Sequence, residues 1–162
     1  MPLKKFKISP DPQRAVEEYG NSLYRLCTVM LQNRDDAQDA VQECFLRYMT
    51  KAPDFTDSEH EKAWLIRVAT NICKDTLRQR KHSSFLSLDE IRNISSSEDN
   101  AQILGLLVSV EEKYRVVLHL HYVEGYKTDE LSSMLGISPA AVRKRLQRGR
   151  DILRKLYEKE AM

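Results

Sequence analysis

Apolar residues recur at steps of three and four along most of the chain, the spacing that places side chains on one face of an α-helix. Ahead of residue 127 the pattern predicts helices over 12–32, 34–51, 61–81, 101–107 and 111–124. No apolar run approaches the length that crosses a membrane, and residues 1–10 lack the apolar core of a signal peptide. The pattern therefore predicts an all-α protein that is soluble and cytoplasmic.

Residues with special backbone or capping properties mark the expected helix ends. Asn33 separates the first two helices, and Ser58 offers an N-cap ahead of the third. Ser109 and Glu112 have the spacing of a capping box for the helix over 111–124, which Gly125 would end.

Residues 127–158 divide into a short helix, a tight turn and a long basic helix. Gly136 suits the left-handed residue that ends a helix, Ser138 offers an N-cap oxygen, and Pro139 supplies a preset first helical residue. The long helix carries an apolar stripe of Val142, Leu146, Gly149, Leu153 and Leu156. This pattern is typical of a helix-turn-helix.

The polar side of the long helix points to DNA. Near its N-terminus, where a recognition helix meets base edges, it carries Ala140, Arg143, Lys144 and Gln147. Three further arginines flank this group and are suited to hold phosphates: Arg148, Arg150 and Arg154. An amphipathic helix pair with a solvated basic face is the alternative, but the adjoining Gly-Ile-Ser-Pro turn favours DNA.

A second polar line runs along the helix over 61–81. It consists of Arg67, Asn71, Lys74 and Arg78, at successive steps of four, three and four residues. An amide between cations, beside a 52–60 loop that carries Phe55, is suited to hydrogen-bond an exposed base. Trp64 could stack on a base, although a single Trp near a helix start more often anchors the core.

The helix over 34–51 has a polar side of Gln38, Asp39, Gln42, Glu43 and Arg47. Such faces are usually only solvated, but an acidic face with glutamines can also dock into a basic groove on a partner. The sequence pattern leaves both interpretations open.

The distribution of charge says more than its total. The net charge is only +2, from 26 basic and 24 acidic residues. Basic residues concentrate in 67–81 and 143–155, whereas acidic residues concentrate in 35–43 and 89–99. This distribution favours one polyanion contacted twice and a protein contacted in between. The Ser-rich, acidic stretch 82–100 is predicted to be a flexible linker between a domain over 1–81 and a domain over 101–162.

Catalytic and metal-binding motifs are not evident in the sequence. Cys27, Cys44 and Cys73 are odd in number and widely spaced, which favours buried free thiols in a reducing compartment. Helical geometry turns His119 and His121 to different sides, which argues against a shared metal site. We therefore expect no cofactor, no metal and no enzymatic activity.

Taken together, these segments resemble the extracytoplasmic-function group of bacterial sigma-70 factors. DAQDAVQECFLRYM (36–49) and AWLIRVATNICKDTLRQRK (63–81) resemble helices of the family's N-terminal domain. SLDE (87–90) is similar to a motif of the family's linkers, and 110–153 resembles its C-terminal domain.

The resemblance implies two helical domains that bind core RNA polymerase and promoter DNA, both duplex and melted. By position, the polymerase-clamp surface falls on Asp39, Gln42, Glu43 and Arg47. The −10 surface falls on the polar line Arg67, Asn71, Lys74 and Arg78, with a pocket for a flipped base around Asn71 and the 52–60 loop. The −35 readers fall on Arg143, Lys144, Gln147 and Arg148. Many members of the family are held inactive by an anti-sigma protein.

Two other functional classes compete with this interpretation. A freestanding helix-turn-helix regulator would leave the acidic face and the Asn71 line without a use, and an adaptor that binds only protein would not contact DNA.

The chain departs from the family's usual pattern at three places. Val110-Glu111 replaces Leu-Pro, and Lys127 stands where Ser or Thr normally caps a helix, so Thr128 is expected to cap one position later. Gly149 replaces a usual alanine, which predicts a cost of about 1 kcal/mol in helix stability.

Overall fold

The computed structural model of the chain describes residues 7–80 and 105–160. Its helices are α1 (Pro12–Leu31), α2 (Arg34–Lys51), α3 (Ser58–Gln79), α4 (Glu112–Leu118), a π-helical segment (His119–Val123), α5 (Thr128–Leu135) and α6 (Pro139–Glu160). The described part contains no β-sheet beyond an isolated bridge between Ile8 and Phe55. The all-α prediction is confirmed. None of the described helices combines the length and hydropathy needed to cross a membrane.

The ends of the first three helices follow local capping chemistry. Gln32 ends α1 in the left-handed conformation, and the Asn33 side chain caps α2 by accepting from the backbone N–H of Asp36. The prediction for the third helix was wrong at its start. Asp57, rather than Ser58, is the N-cap, because its carboxylate accepts from the backbone N–H of His60 at 2.8 Å.

Two capping predictions in the C-terminal half were wrong. Glu111 precedes α4 without a side-chain cap bond, so the expected capping box does not form. Lys127 precedes α5, and the backbone N–H of Lys127 donates to the Glu130 carboxylate at 3.0 Å. Thr128 is therefore the first helical residue rather than the cap.

Helices α1, α2 and α3 form an N-terminal domain around a shared core. The three cysteines are free and buried in it, as expected, and burial raises the pKa of the Cys44 thiol to about 12. Glu61 is completely buried and ties the three helices together. Its carboxylate accepts from both terminal nitrogens of Arg14, at 2.9 and 2.8 Å, and from the Tyr48 hydroxyl at 2.7 Å.

The C-terminal domain contains α4, the π-helical segment, α5 and α6. Its turn is as the sequence predicts: Gly136 is left-handed at φ 68°, and the Ser138 hydroxyl accepts from the backbone N–H of Ala141 at 3.1 Å. Gly149 lies against α4, where an added Cβ would stand 2.7 Å from Leu118 Cδ1. The apolar stripe of α6 therefore faces α4 across a close helix contact.

The two domains pack against each other, with α1 beside α4 and α3 beside α5. The predicted linker 82–100 lies outside the described residues, as do 101–104 of the predicted short helix. Residues 105–107 are helical.

Candidate polymerase and nucleic-acid interfaces

The acidic side of α2 faces solvent. Asp39, Gln42 and Glu43 are exposed, and Arg47 pairs with Glu43 at 3.1 Å one turn away. The opposite side of the helix is fixed by the buried residues Ala37, Cys44 and Tyr48. We call Asp39, Gln42, Glu43 and Arg47 the α2 face.

Two apolar residues extend the α2 face and were missed by the sequence prediction. Leu46 and Met49 are 52% and 56% exposed. They lie four and seven residues after Gln42, which places them on the same side of the helix. This spacing is the sequence signal by which Leu46 and Met49 could have been assigned to the α2 face. The α2 face therefore combines an acidic surface with an exposed apolar end, a composition typical of protein-binding surfaces.

The polar line of the third helix lies on α3, and we call Arg67, Asn71, Lys74 and Arg78 the α3 line. Asn71, Lys74 and Arg78 line one open cavity of about 870 Å³, and Arg78 pairs with Asp75 within α3. The structure therefore brings these three predicted residues together.

The fourth member of the α3 line is engaged with the other domain. Arg67 donates to the backbone carbonyls of Ser133 and Met134 in the last turn of α5. The far wall of the same cavity includes Glu112 and Arg115, which also belong to the C-terminal domain. The α3 line therefore borders the C-terminal domain, and its members Arg67, Asn71 and Arg78 are exposed to solvent.

The aromatic residues near the α3 line belong to the core. Phe55 is completely buried and stacks on Tyr48 with ring centroids 6.2 Å apart. Trp64 packs edge-on against both rings, at 6.0 and 6.1 Å. Trp64 is thus the core anchor that the sequence favoured, and Phe55 is not presented to a base. The backbone pairing of Ile8 with Phe55 holds the loop inward.

The start of α6 presents its polar residues to solvent. Arg143, Lys144, Gln147 and Arg148 are all exposed, and we call them the α6 face. In the described part of the chain none of their three cations pairs with a carboxylate. Clustered cations without counter-charges are a surface suited to a polyanion.

The other two arginines expected to hold phosphates differ from each other. Arg150 donates to the Tyr122 hydroxyl at 3.2 Å, and Arg154 pairs with Asp151 at 3.2 Å. In the described part of the chain, Arg154 is thus the one of the three that has a carboxylate partner.

A smaller basic cleft joins the α6 face to α4. It has a volume of about 210 Å³ and is lined by Lys113, Tyr114, Ala141, Lys144, Arg145 and Arg148. The Arg148 guanidinium beside the Tyr114 hydroxyl lowers the pKa of that phenol, and Lys113 adds to the effect. The sequence prediction missed Lys113, which is distant along the chain and meets α6 only through the fold. These features define a helical protein of two domains with a basic surface suited to DNA.

Comparison with known proteins identifies the family. Residues 15–83 match the model for sigma-70 region 2, and residues 100–153 match the model for sigma-70, region 4. The chain is 28% identical over 159 residues to the ECF RNA polymerase sigma factor SigW of Bacillus subtilis, covering 86% of this chain and 85% of SigW. It is 32% identical over 126 residues to the RNA polymerase sigma factor SigZ of the same organism, covering 74% and 72%.

Solved structures show the same fold. CnrH in complex with the cytosolic domain of CnrY matches with a TM-score of 0.69 and 25% identity, over 91% of this chain and 88% of CnrH. The Bartonella quintana sigma factor RpoE, in complex with the anti-sigma factor NepR, matches with a TM-score of 0.72 and 17% identity, over 93% and 98%. The chain belongs to the sigma-70 family of RNA polymerase sigma factors, in its extracytoplasmic-function group.

Proposed function

We propose that this sigma factor directs core RNA polymerase to promoters by reading a −35 element with the α6 face and a −10 element with the α3 line. The observation that carries the proposal is the exposed, unpaired cation cluster of α6 in the same chain as a polar line on α3. The protein acts by binding alone, in the cytoplasm where the promoter DNA lies. It does no covalent chemistry.

At the −35 element, α6 enters the major groove with its N-terminal half. Arg143, Lys144 and Gln147 contact base edges, because guanidinium, ammonium and amide groups match the donors and acceptors displayed there. Arg148 lies beside the basic cleft and anchors the phosphate backbone.

At the −10 element, Asn71 supplies the selection. Its cationic neighbours on the α3 line attract a DNA strand but do not distinguish bases. The Asn71 amide offers a donor and an acceptor together, which distinguishes base edges once a base has left the stack. Unstacking costs a few kcal/mol per base, so capture of that base favours the melted promoter.

Core polymerase binds the α2 face. Asp39, Gln42 and Glu43 offer carboxylates and amides to a basic partner groove, and Leu46 and Met49 add apolar surface beside them. Apolar area supplies affinity whereas charge complementarity supplies orientation and association rate.

The matched structures of CnrH and RpoE each contain a second protein, the cytosolic domain of CnrY and the anti-sigma factor NepR. We infer that this chain also has an anti-sigma protein as a partner.

Permanganate footprinting with core polymerase tests the base-capture step. Asn71→Ala should reduce opening of a duplex promoter and have a smaller effect on a template already mismatched at −10, where opening is partly done. Asn21→Ala, at an exposed position of α1, is the matched control and should open both templates normally. An equal defect of Asn71→Ala on the two templates, with the domain folded, would reject base capture.

A further inference from the structure

We propose that the basic cleft between α4 and α6 binds one phosphate of the DNA backbone beside the −35 element, and that Lys113 and Arg145 hold this phosphate together with the α6 face. The inference rests on the proposed function for the placement of α6 in the major groove. It goes beyond that function because it brings a second helix, α4, onto the DNA and adds two residues that lie outside the α6 face.

The cleft concentrates positive charge from two helices that pack against each other. Lys113 belongs to α4, whereas Lys144, Arg145 and Arg148 belong to α6. Among the described residues the cleft lining contains no carboxylate, and none of these four cations forms an ion pair. Like charges that are held together without counter-charges repel one another, so an anion that enters the cleft relieves this repulsion.

A buried tyrosine holds two of these cations in place. The Lys113 ammonium lies over the Tyr114 ring, 5.1 Å from the ring centroid. Tyr114 is only 8% exposed, so its ring is a fixed platform that attracts the lysine through its π-face. The Arg148 guanidinium lies beside the hydroxyl of the same side chain and lowers the pKa of that phenol. Tyr114 therefore joins a cation of α4 to a cation of α6 before DNA binds.

The position of the cleft beside the α6 face identifies the source of the phosphate. An α-helix with its side chains is about 10–12 Å across and the major groove is about 12 Å wide, so α6 fills the groove and its flanks lie against the backbones. Lys144 and Arg148 belong both to the α6 face and to the cleft, and Arg145 lies further round the helix toward α4. The cleft is therefore at the flank of α6 that meets a backbone strand, and Lys113 extends the contact onto α4.

The size of the cleft favours a single phosphate group over a larger ligand. Its volume is about 210 Å³, below the range of roughly 300–1,000 Å³ that is typical of small-molecule and cofactor sites. Phosphate contacts fix the register and orientation of a protein on the duplex but carry no sequence information. Lys113 and Arg145 should therefore strengthen binding and fix the entry angle of α6 without changing the base preference.

The test measures binding of the full chain, assembled with saturating core polymerase, to a −35 duplex from a promoter that it transcribes. Lys113→Gln and Arg145→Gln each remove one cation of the cleft, and Lys51→Gln, at an exposed position of α2, is the control with the same change of charge. Loss of one phosphate contact lowers the slope of log affinity against log salt concentration by about 0.9. Each cleft variant should show this smaller slope and bind about 2- to 5-fold more weakly, the effect typical of exposed ion pairs. The base preference should remain that of the parent.

Neutral backbone linkages show which phosphate the cleft binds. A set of −35 duplexes, each with a single methylphosphonate in place of one phosphate, removes the charge of one linkage at a time. One linkage should weaken binding by the parent and have a smaller effect on both cleft variants, because groups that share a contact do not act additively. Lys51→Gln should respond to that linkage as the parent does.

Three results would overturn the proposal: cleft variants that keep the salt slope of the parent, cleft variants that lose no more affinity than Lys51→Gln, and neutral linkages whose effects all add to those of the cleft variants. If one cleft variant does not fold, as judged by circular dichroism, the other decides. The outcome for Arg143→Ala separates this inference from the proposed function. Unaltered −35 preference in Arg143→Ala would reject the proposed function itself, whereas relaxed preference there, with cleft variants that match the control, would reject the phosphate site alone.

Discussion

Replacement of Gly149 by alanine tests the close contact between α4 and α6. Two effects oppose each other. Alanine is favoured over glycine in a helix interior by about 1 kcal/mol. The new Cβ would, however, stand 2.7 Å from Leu118 Cδ1 and 3.0 Å from Leu118 Cγ, closer than carbon atoms approach without displacement.

The second effect should be the larger one. Leu118 is completely buried, so its side chain can make room only by repacking against its core neighbours. Overpacking of a well-packed core costs about 1–3 kcal/mol. We therefore expect Gly149→Ala to lower the free energy of unfolding by about 1 kcal/mol net, and the melting temperature by roughly 2–4 °C for a chain of this size.

The same substitution in α1 provides a control with the opposite sign. A Cβ at Gly20 would meet only Val16 Cγ1, at an ordinary contact distance of 3.8 Å. Gly20→Ala should therefore stabilise the protein by about 1 kcal/mol through helix propensity alone. Thermal and urea denaturation of both variants measure the difference. If Gly149→Ala stabilised the protein as much as Gly20→Ala, the close packing of α6 on α4 would be wrong.

Three further predictions concern the N-terminal core and the two proposed interfaces. Glu61→Gln removes a buried carboxylate that holds three helices and should cost about 3 kcal/mol in urea denaturation, since breaking one partner of a buried pair costs about 3–5 kcal/mol. Burial opposes the charge on Glu61, but its hydrogen bonds outweigh burial and lower its pKa. The contribution of Glu61 to stability is therefore complete above the pKa of Glu in the unfolded chain and is lost as pH falls below about 4. A variant with the same acid sensitivity as the parent would contradict this. Arg143→Ala should weaken DNA binding by about 1–3 kcal/mol and relax the base preference at one −35 position, whereas Arg148→Ala should weaken binding evenly across sequences. Unaltered base preference in Arg143→Ala on a promoter library would count against the placement of α6 in the major groove. Charge reversal at Asp39 and Glu43 should weaken capture by core polymerase in a pull-down while circular dichroism stays unchanged; undiminished capture would reject the assignment of the α2 face.

The helix-turn-helix could be predicted from the sequence because its determinants are local. Gly136, Ser138 and Pro139 each act on the backbone within one turn, and the structure has the left-handed residue, the cap and the helix start where these residues predict them. The bounds of α2 were predicted for the same reason, since Asn33 caps it directly.

Features that depend on distant parts of the chain were not predictable in this way. Gly149 was expected only to weaken a helix, because its approach to Leu118 exists only after folding. Phe55 looked available to a base because nothing near it in the sequence reveals its pairing with Ile8. Arg67 was expected to face DNA alone. Its two hydrogen bonds to α5 span 67 and 66 positions of the sequence, so no local pattern reveals them. The π-helical segment interrupts a periodicity that otherwise predicts one helix to residue 124.

The central claim is tested most directly by transcription from a promoter library with core RNA polymerase, in the presence and absence of this protein. The account predicts that the protein enriches transcripts from promoters that share one −35 and one −10 sequence. It also predicts that Arg143→Ala and Lys144→Ala relax the −35 preference and that Asn71→Ala relaxes the −10 preference. Transcription that does not depend on the protein, or enrichment that all three variants leave unchanged, would contradict the account.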